Sequence, residues 1–381
     1  MTEVLEINDI DQLSLYQDDW QSLLATTSGA DFFRTLDWLQ VYWRHYGEGQ
    51  QLRTLIVRDG AATIGILPLV VKQYHTRLGN HRVLTYPLAD WGSFYGPIGL
   101  NPRQILERGL QHLHASHRDW DFIELRWVND VADEWAYTSP AMKEAGFEPR
   151  RRAHTEIPIL DMNRAWDDYW ASLRSDWRRT CRRNEKKLAQ CGNISYVRHR
   201  PSGIEIGDAD PRWDLYDECE QIARISWQGQ SEDGTTLSHE NVRPFLRDMH
   251  LAAARAGGLD LNLLYVDGVP VAFHYNYCYR GHLSSLRLGY DPQFRDQGAG
   301  TVLAYQMLED SFELRDHTFD FLPGSLGAKK PWRPEVKTSY RYSCFPSHLG
   351  RLGLLNLKHR FMDEPAEESE PLVLADSDSA N

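Results

Sequence analysis

Along the chain, apolar and polar residues switch repeatedly between a period of 3.6, which marks a helix with one buried face, and a period of 2, which marks a half-buried strand. In the first half, helical patterns run from Trp20 to Ala25 and from Leu36 to Tyr46. A hairpin follows: Leu52–Arg58, a turn at Asp59-Gly60, and Ala62–Val71. Asp-Gly between two apolar runs supplies the backbone freedom that a tight hairpin turn needs. The pattern then predicts a strand near Ser93–Ile98, a helix over Pro102–Ser116, a strand over Asp121–Val128 and a helix from Pro140 to Ala145. The second half repeats this order. Helical stretches at Asp214–Trp227 and Val242–Ala256 precede a hairpin built from Leu261–Val266, Asp267-Gly268 and Pro270–Tyr279. A strand over Leu283–Gly289, a helix from Gly300 to Glu313 and a strand over Thr318–Leu322 complete it.

Helix, helix, hairpin, strand, helix, strand, twice over, predicts a duplicated α/β unit. Two unrelated mixed domains would account for the same order, since pattern and not identity repeats. The expected division is 1–152 and 153–355. Between the halves, Trp166–Cys191 reads as one helix, carrying Arg178, Arg179, Arg182, Arg183, Lys186 and Lys187. At 100° per residue these cations cover about half of the helix circumference. The helix presents either a solvated face or a surface for a phosphate-bearing partner: a cofactor, a lipid-linked sugar, RNA or an acidic membrane.

A chain of 381 residues, 41% hydrophobic and 25% charged, is long enough for two cores. No apolar run approaches the roughly 20 residues that cross a bilayer. The acidic start, Met1-Thr2-Glu3-Val4-Leu5-Glu6, lacks the order of a secretion signal, so a cytoplasmic protein is expected. Five cysteines without a C-x-x-C pair suit a reducing compartment. His112, His114 and His117 are not spaced to share one helix face, and no metal site is expected. Residues 362–381 hold seven carboxylates and no Lys or Arg, more than half of the formal charge of −12, and should form a disordered acidic tail. Thirteen tryptophans serve either a large core or an aromatic groove for a sugar or acyl chain.

The most informative stretch runs from Leu286 to Thr301, where a strand and a short turn lead to Arg295-Asp296-Gln297-Gly298-Ala299-Gly300-Thr301 at the opening of a helix. Glycines there let successive backbone N–H groups converge without Cβ atoms in the way, and the helix dipole adds positive potential, so the loop suits a pyrophosphate. It is neither a Walker A loop nor a dinucleotide fingerprint.

Arg295-x-x-Gly298-x-Gly300 resembles the coenzyme A pyrophosphate loop of the GNAT acyltransferases. The chain more closely resembles the CelD/BioF2-like acetyltransferases, relatives of the double-GNAT FemAB transferases, through Ser226-Trp227, Asp267-Gly268-x-Pro270-x-Ala272, Gly289-Tyr290-Asp291, Phe319-Asp320-Phe321, Gly324, Lys329 and Trp332. This resemblance implies two tandem GNAT-like domains of α/β (α+β) class. Each would be a mixed, mostly antiparallel twisted sheet flanked by helices, with a helical connection between them. It implies an acyltransferase that uses acetyl-CoA or another acyl-CoA as co-substrate and no metal. Transfer would be direct, to an amine or hydroxyl of a cell-envelope sugar or peptide. Residues 295–301 would bind the cofactor. Asp291 is the expected proton acceptor or else a turn cap. Lys329 would hold an acceptor phosphate or carboxylate or else lie on the surface. Arg287 would be a substrate anchor or a strut on the sheet face. Where the family usually has Tyr-Lys, this chain has Ala328-Lys329, and Gly99-Leu100-Asn101-Pro102 in the first half lacks the glycine pair. The first half is therefore expected not to bind coenzyme A. Two other functions stay open: an aminoacyl-tRNA-dependent transferase of FemAB type, and a catalytically degenerate scaffold in polysaccharide biosynthesis.

Overall fold

The computed structural model describes residues 2–76, 79–129, 136–230 and 234–345. The predicted acidic tail lies outside them. The chain forms two compact units, one of residues up to Glu156 with the segment that begins at Thr338, the other of Ile157–Lys337. That closing segment falls within 153–355, the stretch that the sequence groups with the second half.

The first unit runs β1 (Thr2–Ile7), α1 (Gln17–Thr26), α2 (Leu36–Tyr46), β2 (Gln51–Asp59), β3 (Ala62–Thr76), β4 (Gly79–Thr85), α3 (Pro102–Ala115), β5 (Phe122–Val128), α4 (Thr138–Glu144) and the start of β6 (Arg150–Asp161). The second holds the end of β6, then α5 (Trp166–Ser172), α6 (Ser175–Ala189), β7 (Ile194–His199), α7 (Trp213–Ile225), α8 (Arg243–Ala256), β8 (Leu259–Val266), β9 (Val269–Tyr279), β10 (His282–Tyr290), α9 (Ala299–Glu313), β11 (Thr318–Asp320) and α10 (Leu326–Lys329). The last strand is β12 (Glu335–Cys344). Strand order is β1-β2-β3-β4-β5-β12 in the first unit and β7-β8-β9-β10-β11-β6 in the second. In both, four antiparallel strands meet a parallel fifth, β4 with β5 and β10 with β11, and then an antiparallel sixth. The mixed, mostly antiparallel sheets and the duplicated order agree with the sequence.

Several details do not. The predicted strand Ser93–Ile98 is a buried connection joined to β3 by one bridge, Ile66 with Ile98; the strand that precedes α3 is β4. Burial without strand pairing produced that apolar run. The first hairpin turns at Gly60-Ala61, one residue later than predicted, because Asp59 pairs with Ala62. A bulge between Val57 and Arg58 shifts the register there. The second turns at Asp267-Gly268, both at positive φ (48° and 77°), as a two-residue turn requires. The expected single helix 166–191 is two helices, broken at Leu173, which is extended at ψ 153°.

In the second unit, β8 is buried at every position, as befits a strand covered on both faces. Trp166 and Trp170 of α5 pack on Tyr305 of α9, at 5.8 and 4.9 Å between ring centroids. Tyr169 stacks on Phe312 at 4.9 Å and donates its hydroxyl to the Trp332 carbonyl at 2.8 Å. Trp20, Trp38, Trp120, Trp127, Trp170 and Trp332 all belong to the core. Packing therefore accounts for these six.

Candidate functional site

The site follows from how β10 and β11 part. They pair in parallel only from His282–Thr318 to Ser284–Asp320. β11 ends there and β10 continues to Tyr290, so beyond Ser284 one edge of β10 has no strand partner among the described residues. A bulge falls at the same place: Ser285 pairs with Asn276 and Arg287 with Tyr275, which leaves Leu286 unmatched on β9. Backbone polar groups freed in this way are available to a ligand.

Arg287 is held within the protein. It is 6% exposed, and its guanidinium donates to the Leu286 carbonyl, the Thr235 carbonyl (2.6 Å) and the Thr235 hydroxyl (3.0 Å). It fixes the bulge and ties the 234–236 segment to it. Asp291 is likewise a turn cap, its carboxylate accepting from the Gln293 N–H at 2.9 Å. These hydrogen bonds are the ones expected of a strut and of a turn cap, the alternatives that the sequence sets beside an anchor and a proton acceptor.

Lys329 stands differently. It closes α10, is 7% exposed, and donates to the Leu322 carbonyl at 2.8 Å. Burial lowers its pKa to about 8, against the opposing charge of Asp320. Asp320, 1% exposed at the end of β11, accepts from the Leu322 N–H at 2.7 Å. A buried lysine with a lowered pKa thus sits beside the point where the two strands separate. The sequence does not single out Asp320 as chemistry, and nothing in its spacing does so.

A second pair at the same place escapes the sequence. His274 Nε2 of β9 lies 2.7 Å from the Ser285 hydroxyl, and both are buried. Burial lowers the His274 pKa to about 4, so the ring is neutral near pH 7.

The glycine loop leads into α9. Gly298 holds φ +68° as the N-cap residue, and no side chain caps the helix. The first-turn N–H groups of Ala299, Gly300 and Thr301 therefore lack the partners that a capping side chain would give. Arg295 and Asp296 are exposed, and Gln297 Oε1 is buried without a hydrogen bond among the described residues. One expectation about the loop changes. Its first glycine makes room for protein: a Cβ at Gly298 would lie 2.1 Å from Asn184 Nδ2 of α6. Lys187 of α6 donates to the Asp296 carbonyl at 3.2 Å. The basic helix thus packs directly against the loop.

His112 sits 3.4 Å from Glu6, and the His114 ring packs edge-on against Phe147. Among the described residues no group of His, Cys, Asp and Glu is placed to hold a metal, and no helix is long and apolar enough to cross a membrane.

Residues 175–330 match the sequence family described as an acetyltransferase (GNAT) domain. That stretch opens at α6 and closes just past Lys329. The sequence matches no curated protein. Among solved structures, FemX is similar over 93% of this chain and 99% of its own, at 12% identity and a TM-score of 0.63. A conserved protein of unknown function from Bacteroides thetaiotaomicron is similar over 91% of this chain and all of its own (12% identity, TM-score 0.54). So is a C-terminal DUF2156 domain assigned to a lysylphosphatidylglycerol synthetase of Agrobacterium fabrum, over 92% of this chain and 96% of its own (10%, 0.53). At these identities the likeness is one of fold. The match of residues 175–330 to that domain, and not the likeness of fold, marks the chain as an acyltransferase.

Proposed function

We propose that this acyltransferase takes its acyl group, acetyl by default, from acyl-CoA and passes it directly to an amine or hydroxyl of a small sugar- or peptide-like acceptor. The observation that carries this reading is the uncapped start of α9 behind Arg295 and Gly298, at the end of a strand that has just parted from its neighbour. First-turn N–H groups and the helix dipole favour a pyrophosphate there. A pantetheine arm laid along the free edge of β10 would bring the thioester to the bulge at Leu286.

In the reaction, the acceptor nitrogen or oxygen attacks the thioester carbonyl carbon. The oxyanion that forms is held by β10 N–H groups beyond Ser284, and its collapse breaks the C–S bond and expels the coenzyme A thiolate. Lys329, as the neutral amine, receives the proton of the attacking group and then returns it to the thiolate. Its depressed pKa suits this role better than the turn-capping carboxylate of Asp291 does. Residues 295–301 bind the cofactor phosphates, while Arg287 positions the bulge without touching the reacting atoms. An acceptor from the cell envelope, and membership of the CelD/BioF2-like acetyltransferases, rest on the sequence resemblance.

A second reading is a FemAB-type transferase fed by aminoacyl-tRNA. It is favoured by the likeness to FemX along nearly the whole chain and by the exposed cations of α6. Release of free thiol from acetyl-CoA on addition of aminosugars or peptide amines tests the first reading. Transfer from a charged tRNA, with no thiol released by any acceptor, would establish the second in its place.

A further inference from the structure

On the surface of the second unit some arginines find carboxylates, Arg174 with Asp176, Arg212 with Asp214, Arg224 with Glu220 and Arg247 with Asp217, while others such as Arg255 and Arg315 form no ion pair among the described residues. The cations of α6 are of the second kind. Arg179, Arg182, Arg183, Lys186 and Lys187 are exposed, and none forms an ion pair among the described residues.

The helix is oriented by its buried positions Cys181, Asn184 and Leu188. With that face inward, the 100° step places Arg183 and Lys187 on one flank and Glu185 on the other. Glu185 faces Tyr305 and Glu309, where its charge helps to raise both pKa values behind the larger effect of burial. On the opposite flank, Arg179, Arg183 and Lys187 follow at intervals of four, a row of about 12 Å. The row has a definite end. Lys187 Nζ is 3.2 Å from the Asp296 carbonyl, and Asn184, beside Arg183, fills the Cβ position of Gly298. Unpaired positive charge therefore begins where the pyrophosphate loop ends.

Coenzyme A carries, besides its pyrophosphate, a 3′-phosphate on the adjoining ribose, with close to two negative charges at neutral pH. We propose that Arg183 and Lys187 form the subsite for that 3′-phosphate. The proposal rests on the acyl-CoA reading and assigns α6 a place in the donor site. A nucleic acid or an acidic membrane would need a longer track than this short row closing on the loop.

The test is calorimetric titration of coenzyme A and of 3′-dephospho-coenzyme A into the full chain, with and without Arg183→Glu and Lys187→Glu together. Both side chains are exposed, and an unchanged melting curve confirms the variant's fold. Arg183→Gln with Lys187→Gln gives the same comparison with milder charge change. At low salt the native protein should bind coenzyme A about ten-fold more tightly than the dephospho form, and the charge-reversed variant should lose that preference. Equal weakening toward both ligands, or none toward either, would overturn the subsite. So would unchanged coenzyme A affinity together with lost binding to tRNA or to acidic vesicles. If the native protein binds neither ligand, the acyl-CoA reading itself fails, which is a separate outcome.

Discussion

A methyl group placed at Gly298 would lie 2.1 Å from the side-chain nitrogen of Asn184. This contact joins the basic helix to the loop that starts α9, and it gives the first glycine of the motif two reasons to be glycine. One is the left-handed backbone at φ +68°, and the other is the approach of α6.

Gly298→Ala should therefore cost about 2–3 kcal/mol of stability, of which about 1 is backbone strain. Adding Asn184→Ala should recover the steric share. Urea unfolding of the single and double variants measures both, and a neutral single variant would contradict the packing described.

Lys329→Met should slow transfer by roughly 10²–10⁴-fold, the usual contribution of a general base. Burial lowers the pKa of Lys329 to about 8, so its amine is protonated below that value and free above it. The rate should accordingly rise with pH through about 8 in the native enzyme. A flat profile across that range would remove Lys329 from proton transfer.

Beneath α9 lies a buried charge network. Asp260 accepts from Arg198 at 2.7 Å and from Arg200 at 3.2 Å, and Arg200 also grips Asp316 with two hydrogen bonds. Burial pushes the Asp260 carboxyl up, but the two guanidiniums outweigh it and hold the pKa below its ordinary value. Asp260→Asn should cost about 3 kcal/mol or more, since it leaves two buried cations short of a partner. Because the folded pKa is depressed, this stabilisation is complete above the unfolded value of 3.8 and fades as the pH falls through the folded one. Thermal melts of the variant across that range check the cost and the direction.

Three histidines add a second dependence, at higher pH. Burial, as the largest cause, lowers His154, His250 and His274 from 6.5 to about 4. His250 donates from Nε2 to the Pro211 carbonyl at 2.6 Å and accepts at Nδ1 from the Tyr275 hydroxyl at 3.0 Å, an arrangement that needs the neutral ring. Unfolding between pH 4 and 6.5 takes up protons, so stability is full above 6.5 and declines as the pH falls toward 4. Urea midpoints measured over that interval should fall steadily, and less steeply in His250→Gln.

Elements governed by local signals were legible in the sequence. Leu36–Tyr46 is α2 at both ends, with Thr35 accepting from the Trp38 N–H as its cap. The Asp267-Gly268 turn and the loop into α9 also fall where expected. β1, β6, β7 and β12 escaped because their partners lie far away in sequence and much of their surface is polar; β4 pairs with β3 directly before it and escaped through its polar opening alone. β4 opens Gly-Asn-His-Arg and β6 opens Arg-Arg-Arg-Ala-His-Thr-Glu, and neither alternates as an apolar strand would. The break at Leu173 has no proline or glycine to mark it. The site was legible as a loop motif and not as a set of side chains. Whether Lys329 is buried, or Asp291 spends its carboxylate on a turn, depends on packing that only the folded chain supplies. Asn184 and Lys187 become relevant only once α6 is seen against Gly298.

Whether the start of α9 receives the phosphates of acyl-CoA is read from calorimetric titration of acetyl-CoA into the native protein beside Gly300→Glu. Glutamate in the first turn of a helix favours the fold through the dipole while placing a negative charge where the pyrophosphate would sit. The Tyr290 ring, 3.2 Å from the added Cβ, has only to shift slightly. Micromolar binding is expected in the native protein, with its loss in a variant that melts no lower. Equal affinity in both would place the donor elsewhere, and no binding in either would contradict acyl-CoA as the donor.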